Sequence, residues 1–218
     1  MGSKVSGAPP LAAIRRRLAS ARPVRDPRAR LLAHVEGPAS PELMEVLGRL
    51  GRPASVLLAL LERPAGLTVL LTERAAHLKD HAGQISLPGG RVAAGETPTA
   101  AALREAHEEI GLLPAAVSVL GSLDVLLTGT GFSITPVVGF VAGDTFAAAP
   151  DPHEVAGVFE VPLERILDPA GFAVTYHERL GSRLRTYELR HDRYRIWGAT
   201  ASILWNFREV ILDEESKR

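Results

Sequence analysis

The sequence predicts an α+β fold built in layers, because apolar runs of strand length are combined with two main helical patterns. Continuous apolar runs at 54–61 and 68–72 indicate buried strands, which the turn residues 63–66 join. One main helix is predicted at 97–110 and the other at the end of the chain. The closing helix carries an apolar stripe, best explained by core packing, formed by Ile203, Leu204, Phe207, Val210 and Ile211. Strands and helices mixed in this way pack in layers around one core.

The other elements follow from the same periodicities and turn signals. A short helix near the start of the chain is interrupted by Pro23 and Pro27, and Pro136 marks its strand as an edge strand or as the site of a bulge. In chain order, these elements are helices at 11–19 and 41–50, strands at 117–124, 134–141 and 155–162, and a hairpin formed by 186–189 and 194–197.

Composition fits one globular domain with an N-terminal extension. The 218 residues are 46% hydrophobic, so we expect a full hydrophobic core. The formal net charge is zero, so the composition shows no global bias toward binding nucleic acid or membrane. Residues 1–30 hold eight Lys and Arg side chains against one Asp. An arm that binds RNA or anionic lipid is one interpretation of this charge. A partly disordered basic extension at 1–30, followed by the main domain at 31–218, is the preferred one.

Several function classes are excluded by what the sequence lacks. There is no cysteine, which excludes disulfides, thiolate zinc sites and cysteine nucleophiles. No apolar run approaches the ~20 residues that span a bilayer, and no hydrophobic signal segment opens the chain. We therefore expect a cytoplasmic protein that acts on a small molecule, without nucleic-acid or membrane partners. The sequence does not decide the oligomeric state, and a homodimer is one possibility.

The helix at 97–110 carries the strongest chemical signal. Glu105, Glu108 and Glu109 share one face at about 100° per residue, with Arg104 beside them. Carboxylates that converge in this way repel one another and raise each other's pKa unless a hard cation such as Mg²⁺ or Mn²⁺ lies among them. An isolated cluster of this kind is more simply a solvated helix face.

The flanking residues favour a functional helix over a solvated face. Pro88, Gly89 and Gly90 predict a tight turn, 95–98 predicts a loop that leads into a helix start, and Gly111 lies where a left-handed C-terminal cap belongs. The whole spacing, G-x5-E-x7-R-E-A-x-E-E-x-G-L, resembles the box that defines the Nudix hydrolase family.

The resemblance implies a mixed sheet sandwiched between helices, and divalent metal held against a diphosphate that water attacks. It implies metal ligation by Glu105, Glu108 and Glu109 and catalytic roles for Arg104, Glu105 and Glu108, without separating ligand from base. The Gly89 carbonyl is implied as a further metal ligand. In the family, an additional acid often lies opposite the box, and Glu154 is the candidate.

The segment LLTERAAHLKDHAGQISLPGG at 70–90 resembles the signature of the coenzyme A pyrophosphatase subgroup. It implies that Arg74, Lys79, Gly89 and Gly90 bind substrate, with the two cations on phosphates that include the 3′-phosphate of coenzyme A. Ala75 stands where serine is usual, and Lys79 stands where arginine is usual. Lys79 therefore keeps the charge but loses the bidentate guanidinium. Pairing with nearby acids such as Glu73 and Asp80 is the alternative role for these cations. For His77 and His81 a structural or exposed role is favoured, since that is the commoner role of a lone histidine.

Three functions remain open at this point. The preferred one is metal-dependent hydrolysis of coenzyme A or its thioesters to 3′,5′-ADP and a 4′-phosphopantetheine product. GTGFSITPVVG at 129–139 and RIWGATASIL at 195–204 also resemble segments of that subgroup. The second function is hydrolysis of nucleoside triphosphates or nucleotide sugars, and the third is a nucleotide sensor without catalysis. The intact set of glutamates disfavours the sensor, since a pure binder needs no complete metal site.

Overall fold

The computed structural model describes residues 8–24, 26–48, 51–77, 83–128, 131–143 and 146–212. Two of the residues considered above, Lys79 and His81, lie outside these ranges. The helices are α1 (Leu11–Ser20), α2 (Pro27–Leu32), α3 (Pro41–Gly48), α4 (Pro98–Ile110), α5 (Leu163–Leu167) and α6 (Gly198–Leu212). The strands are β1 (Val35–Glu36), β2 (Arg52–Arg63), β3 (Gly66–Arg74), β4 (Ile85–Ser86), β5 (Gly89–Arg91), β6 (Val117–Ser122), β7 (Leu126–Leu127), β8 (Phe132–Val141), β9 (Val155–Pro162), β10 (Phe172–Arg179), β11 (Ser182–His191) and β12 (Tyr194–Trp197).

The larger of two sheets is mixed and is organised around β2. Strand β2 pairs parallel with β8 and antiparallel with β3, while β5 pairs antiparallel with its first half. Strand β9 lies on the other side of β3, and β6 and β7 lie on the other side of β8. This arrangement brings β5 and the helix that follows it, α4, to the middle of the sheet.

Both faces of the larger sheet are covered by helices. Leu57 and Leu61 of β2 pack with Ala102 and Ala106 of α4 on one face. Leu58 and its neighbours on the other face pack in a second core that includes residues of α1, α5 and α6. Because β2 is buried on both sides, its sequence is a continuous apolar run without alternation. The predicted α+β fold, a mixed sheet sandwiched between helices, is confirmed.

The smaller sheet has the strand order β1-β11-β10, with β12 also paired to β11. Leu43 and Leu47 of α3 pack near this sheet in a small cluster that includes Leu127 and Leu184. None of the helices in the described ranges has the length and hydropathy needed to cross a membrane.

Residues near the N-terminus contribute to the main core. Ile14 and Leu18 of α1 are buried there. Arg30 at α2 is 9% exposed, and its guanidinium lies 2.7 Å from the Glu209 carboxylate of α6 and 3.4 Å from that of Asp124. Asn206 donates a further hydrogen bond to Asp124. The beginning and the end of the described chain are thus joined by a buried charged network.

Most predicted elements are present, with several differences. The short elements that were not predicted are α2, α5, β1, β4, β5 and β7. Gly89 and Gly90 belong to β5, where a tight turn was predicted. Strand β8 is an internal strand of the sheet, so the prediction of an edge strand at Pro136 was wrong. Pro136 lies opposite the gap between β6 and β7, and its carbonyl accepts a hydrogen bond from the Leu123 N–H. The irregularity in pairing lies in the neighbouring strand β6, where the register shifts between Val119 and Gly121. Strand β10 was not predicted, because six of its eight residues are exposed and its apolar and polar residues do not alternate.

Candidate active site

The candidate site is built where β5 leads into α4. Thr97 caps the helix by accepting a hydrogen bond from the Ala100 N–H, and Pro98 takes the first helical position, where its missing N–H costs nothing. Gly111 ends the helix in the left-handed conformation, with φ of 71°. These local signals determine where the helix begins and ends, and the packing of Ala102 and Ala106 against β2 determines which of its side chains face the sheet.

Glycines are required in β5 because the chain comes very close to its neighbours there. A Cβ atom on Gly89 would lie 2.6 Å from the Cα of Val56 in β2, and one on Gly90 would lie 2.4 Å from the Glu105 carboxylate. The carboxylate of Glu105 therefore rests directly against the backbone of β5. This cradle exists only because position 90 has no side chain.

Arg104 organises the carboxylates at the solvent side of the site. Its guanidinium donates to Glu96, Glu105 and Glu108, each at 2.9 Å, and to the carbonyl of Arg91 at 3.1 Å. The hydrogen bonds to Glu96 and then Glu105 raise the pKa of Arg104, and the bond from Arg104 lowers the pKa of Glu96. Glu96, which belongs to the sequence box, thereby holds Arg104 from the loop before the helix.

Glu109 lies on the inner side of the same helix and is only 5% exposed. Burial, and then the negative charge of Glu154, raise its pKa to about 8, although the Gly89 N–H donates to the carboxylate and the positive charge of Arg74 attracts it. The charge of Glu105 adds to the repulsion. A bound cation would stabilise the charged form of a carboxyl group that burial and neighbouring negative charges disfavour.

The structure brings the predicted ligands together only in part. Glu105 and Glu109 are close enough to interact electrostatically, whereas the Glu108 side chain is 55% exposed and is held by Arg104. Within the described ranges, no three acidic or histidine side chains already form a ready metal site. The donor chemistry still fits a hard divalent cation, because the buried carboxylate of Glu109 lies beside the backbone of Gly89 and is repelled by the charges of Glu154 and Glu105.

A cleft of about 490 Å³ opens beside β5. Gly89, Gly90 and Arg74 line it, together with side chains from β4, β8 and α6. Among the described residues, the Nε atom of Arg74 is buried without a hydrogen-bond partner. Three of the predicted substrate-binding residues, Arg74, Gly89 and Gly90, therefore share one cleft. The fourth, Lys79, lies outside the described residues.

Several residues of the cleft were missed at the level of sequence. Phe132 lies under the guanidinium of Arg52 at 4.1 Å and near that of Arg91 at 5.9 Å. Arg179 and Trp197 close another wall of the cleft. No spacing rule in the sequence joins these positions, since they come from five different strands.

Arg104→Ala is expected to lower kcat about 10- to 100-fold, because groups that orient ligands typically have effects of this size. Arg104→Lys is expected to recover only part of the loss, since an ammonium group cannot bridge three carboxylates in the same fixed geometry. Steady-state kinetics over a range of Mg²⁺ concentrations measures both effects. Arg183→Ala, which removes an exposed ion pair with Glu36, is the control. Unchanged kinetics in Arg104→Ala would make the arginine part of an ordinary solvated helix face.

Comparison with known proteins identifies the family to which this fold belongs. The family profile described as NUDIX domain matches residues 51–179. The chain belongs to the Nudix family.

Two relatives are named Uncharacterized Nudix hydrolase NudL. The one from Enterobacter sp. (strain 638) is 41% identical over 139 residues, which are 63% of this chain and 70% of the relative. The one from Escherichia coli O7:K1 (strain IAI39 / ExPEC) is 42% identical over 138 residues, 62% of this chain and 69% of the relative. A crystal structure of the Nudix hydrolase RenU from M. smegmatis is 29% identical with a TM-score of 0.46, and the match covers 52% of this chain and 72% of that one.

Proposed function

We propose that the protein hydrolyses the diphosphate bond of coenzyme A or its thioesters, using Mg²⁺ or Mn²⁺ bound at α4. One observation carries the proposal. The Glu105 carboxylate and the buried Glu109 lie against Gly90 and Gly89, at the edge of a cleft that Arg74 also lines. This arrangement combines acids that need a cation with a positive charge and an open cleft, which are the requirements for binding a diphosphate.

The choice of coenzyme A rests on the segment at 70–90, which resembles the signature of the coenzyme A pyrophosphatases. Arg74 belongs to that segment and lines the cleft, where it supplies a positive charge for a phosphate group. The curated NudL relatives carry no substrate in their names, so they support the Nudix hydrolase class and leave the substrate to be tested.

The side chains divide the work as follows. Glu105, Glu108 and Glu109 would hold the cation, with the Gly89 carbonyl and Glu154 as further oxygen donors. When bound, the cation neutralises the diphosphate oxygens and lowers the pKa of the attacking water. Glu105 or Glu108 accepts the proton of that water.

The remaining groups orient the acids and the substrate. Arg104 orients Glu105 and Glu108, and Arg74 binds phosphate. As the new P–O bond forms, the bridging P–O bond breaks, which releases 3′,5′-ADP and 4′-phosphopantetheine or its acyl form.

Arg74→Gln is expected to raise the KM for coenzyme A more than the KM for its 3′-dephosphorylated form. A cation that contacts a phosphate outside the reacting bond contributes mainly to ground-state binding. Only coenzyme A carries the 3′-phosphate, so only coenzyme A loses this contact in the variant. Because Arg74 also attracts Glu109, turnover will fall with both substrates, and the ratio of the two KM changes is the informative quantity. Kinetics of the wild type and the variant on both substrates measures it.

A substrate panel separates the competing functions. Wild-type kcat/KM for coenzyme A is expected to exceed that for dephospho-coenzyme A, nucleoside triphosphates and ADP-ribose. Equal or higher values for those compounds would reject the coenzyme A assignment and favour the broader pyrophosphohydrolase. Binding without hydrolysis of any of them, with Mg²⁺ and Mn²⁺ both supplied, would favour a nucleotide sensor.

A further inference from the structure

A second cavity, of about 410 Å³, lies between α3 and the smaller sheet. Its walls are mainly apolar, and none of the carboxylates of the candidate active site lines it. The apolar part of the wall is formed by Leu31, Leu43, Val46, Leu47, Leu126, Leu127, Leu180 and Leu184. A cavity of this size and character is suited to a flexible apolar group rather than to a charged one.

The second cavity adjoins the active-site cleft. Five residues line both spaces, namely Thr128, Arg179, Trp197, Gly198 and Ala199. Trp197 is 44% exposed, and Gly198, the first residue of α6, has φ of 63°. The start of α6 therefore lies between β5 and the space under α3, where one long ligand would have to pass from the first space to the second.

The wall of the second cavity also carries polar and charged side chains, among them Thr175, His177 and Arg185. These groups offer hydrogen bonds beside the apolar surface. A mainly apolar cavity with polar groups in its wall suits an acyl group, which has a carbonyl as well as a hydrocarbon chain, better than it suits a pure hydrocarbon.

We propose that this cavity binds the acyl arm of a thioester substrate while the diphosphate of the same molecule lies at β5. The inference rests on the proposed function and extends it, because it selects acyl thioesters over free coenzyme A. The apolar wall provides the affinity, and the shared residues at the start of α6 form the passage between the two spaces.

The first test is the dependence of kcat/KM on acyl length. Coenzyme A and its butanoyl, hexanoyl, octanoyl and decanoyl thioesters are compared with Mg²⁺ present. We expect kcat/KM to rise about three- to four-fold for each methylene that enters the cavity, as about 0.8 kcal/mol per buried methylene implies, and then to level off. Titration of coenzyme A and its decanoyl thioester in EDTA should show the same preference in Kd, independent of turnover.

Two cavity-filling variants locate the effect. Ser202→Phe on α6 and Val46→Phe on α3 both add bulk to a position that lines only the second cavity and is not fully buried. The preference for the decanoyl thioester is its kcat/KM divided by that of coenzyme A. Each variant is expected to lower this preference by about ten-fold or more, because about two methylenes would no longer be buried in the cavity. Met44→Phe is the matched control, since Met44 is an exposed residue of α3 that does not line the cavity.

The outcomes separate this inference from the proposed function. Hydrolysis of coenzyme A with no dependence on acyl length, or an equal loss in Ser202→Phe and Met44→Phe, would overturn the acyl site and leave the proposed function standing. Hydrolysis of neither coenzyme A nor its thioesters would overturn both. A preference for long acyl groups that is lost in Ser202→Phe and Val46→Phe, and kept in Met44→Phe, would support the inference.

Discussion

Glu105→Gln and Glu109→Gln are each expected to reduce kcat about 10²- to 10³-fold, the typical effect of removing one preorganised electrostatic group. A neutral amide is a poor ligand for a hard cation, and both carboxylates lie beside the glycine backbone of β5 where the diphosphate would bind. Steady-state kinetics with saturating Mg²⁺ measures the loss. Glu164→Gln, an exposed glutamate of α5, is the control and should retain wild-type rates.

A second measurement on the same variants distinguishes metal binding from folding. The increase in Tm on adding Mg²⁺ should be reduced or lost in both, because a ligand stabilises the state that binds it. Their far-UV circular dichroism in EDTA should match the wild type. A folded Glu109→Gln enzyme with more than about half of the wild-type activity would contradict the assignment.

Glu108 can be assigned with the same pair of measurements. Loss of kcat with the Mg²⁺-dependent increase in Tm retained would identify Glu108 as the base, and loss of both would identify it as a ligand. Its 55% exposure and its ion pair with Arg104 leave both roles open to it at the described geometry.

Arg30→Met is expected to destabilise the fold by about 3–5 kcal/mol, because it removes the guanidinium that pairs with the buried carboxylates of Glu209 and Asp124. The hydrogen bonds that Asn206, the Val24 N–H and the Trp205 indole N–H donate to these carboxylates bring no positive charge. For a chain of this length the loss corresponds to a decrease in Tm on the order of 10 °C. Urea unfolding at neutral pH measures the free energy directly.

Arg28→Met is the matched control for this prediction. Arg28 lies on the same short helix and pairs with Asp26, but the two side chains are 46% and 56% exposed. Exposed ion pairs typically contribute about 0–1 kcal/mol. Similar losses of stability in the two variants would mean that the buried network contributes little and that α2 is held by packing alone.

The amino-acid sequence by itself determined the elements whose signals are local. Thr97, Pro98 and Gly111 mark the ends of α4 because capping involves only residues within one turn of the helix end. The positions of Glu105 and Glu109 on one side of that helix follow from its periodicity. The apolar runs of β2 and β3 likewise predicted buried strands, since a strand covered on both faces needs no alternation.

Tertiary structure decided the properties that depend on distant residues. The raised pKa of Glu109 requires burial against the sheet and the charge of Glu154 in a separate loop, and neither is encoded in the spacing of the helix. Arg104 forms ion pairs with Glu105 and Glu108, whereas Glu109 is buried on the inner side of the helix. Periodicity alone could not distinguish these two environments. The two adjoining cavities arise where α3, β8, β10 and the start of α6 meet. A sequence pattern reports only its own periodicity, whereas burial, charge proximity and enclosed volume arise when segments far apart in the chain are packed together.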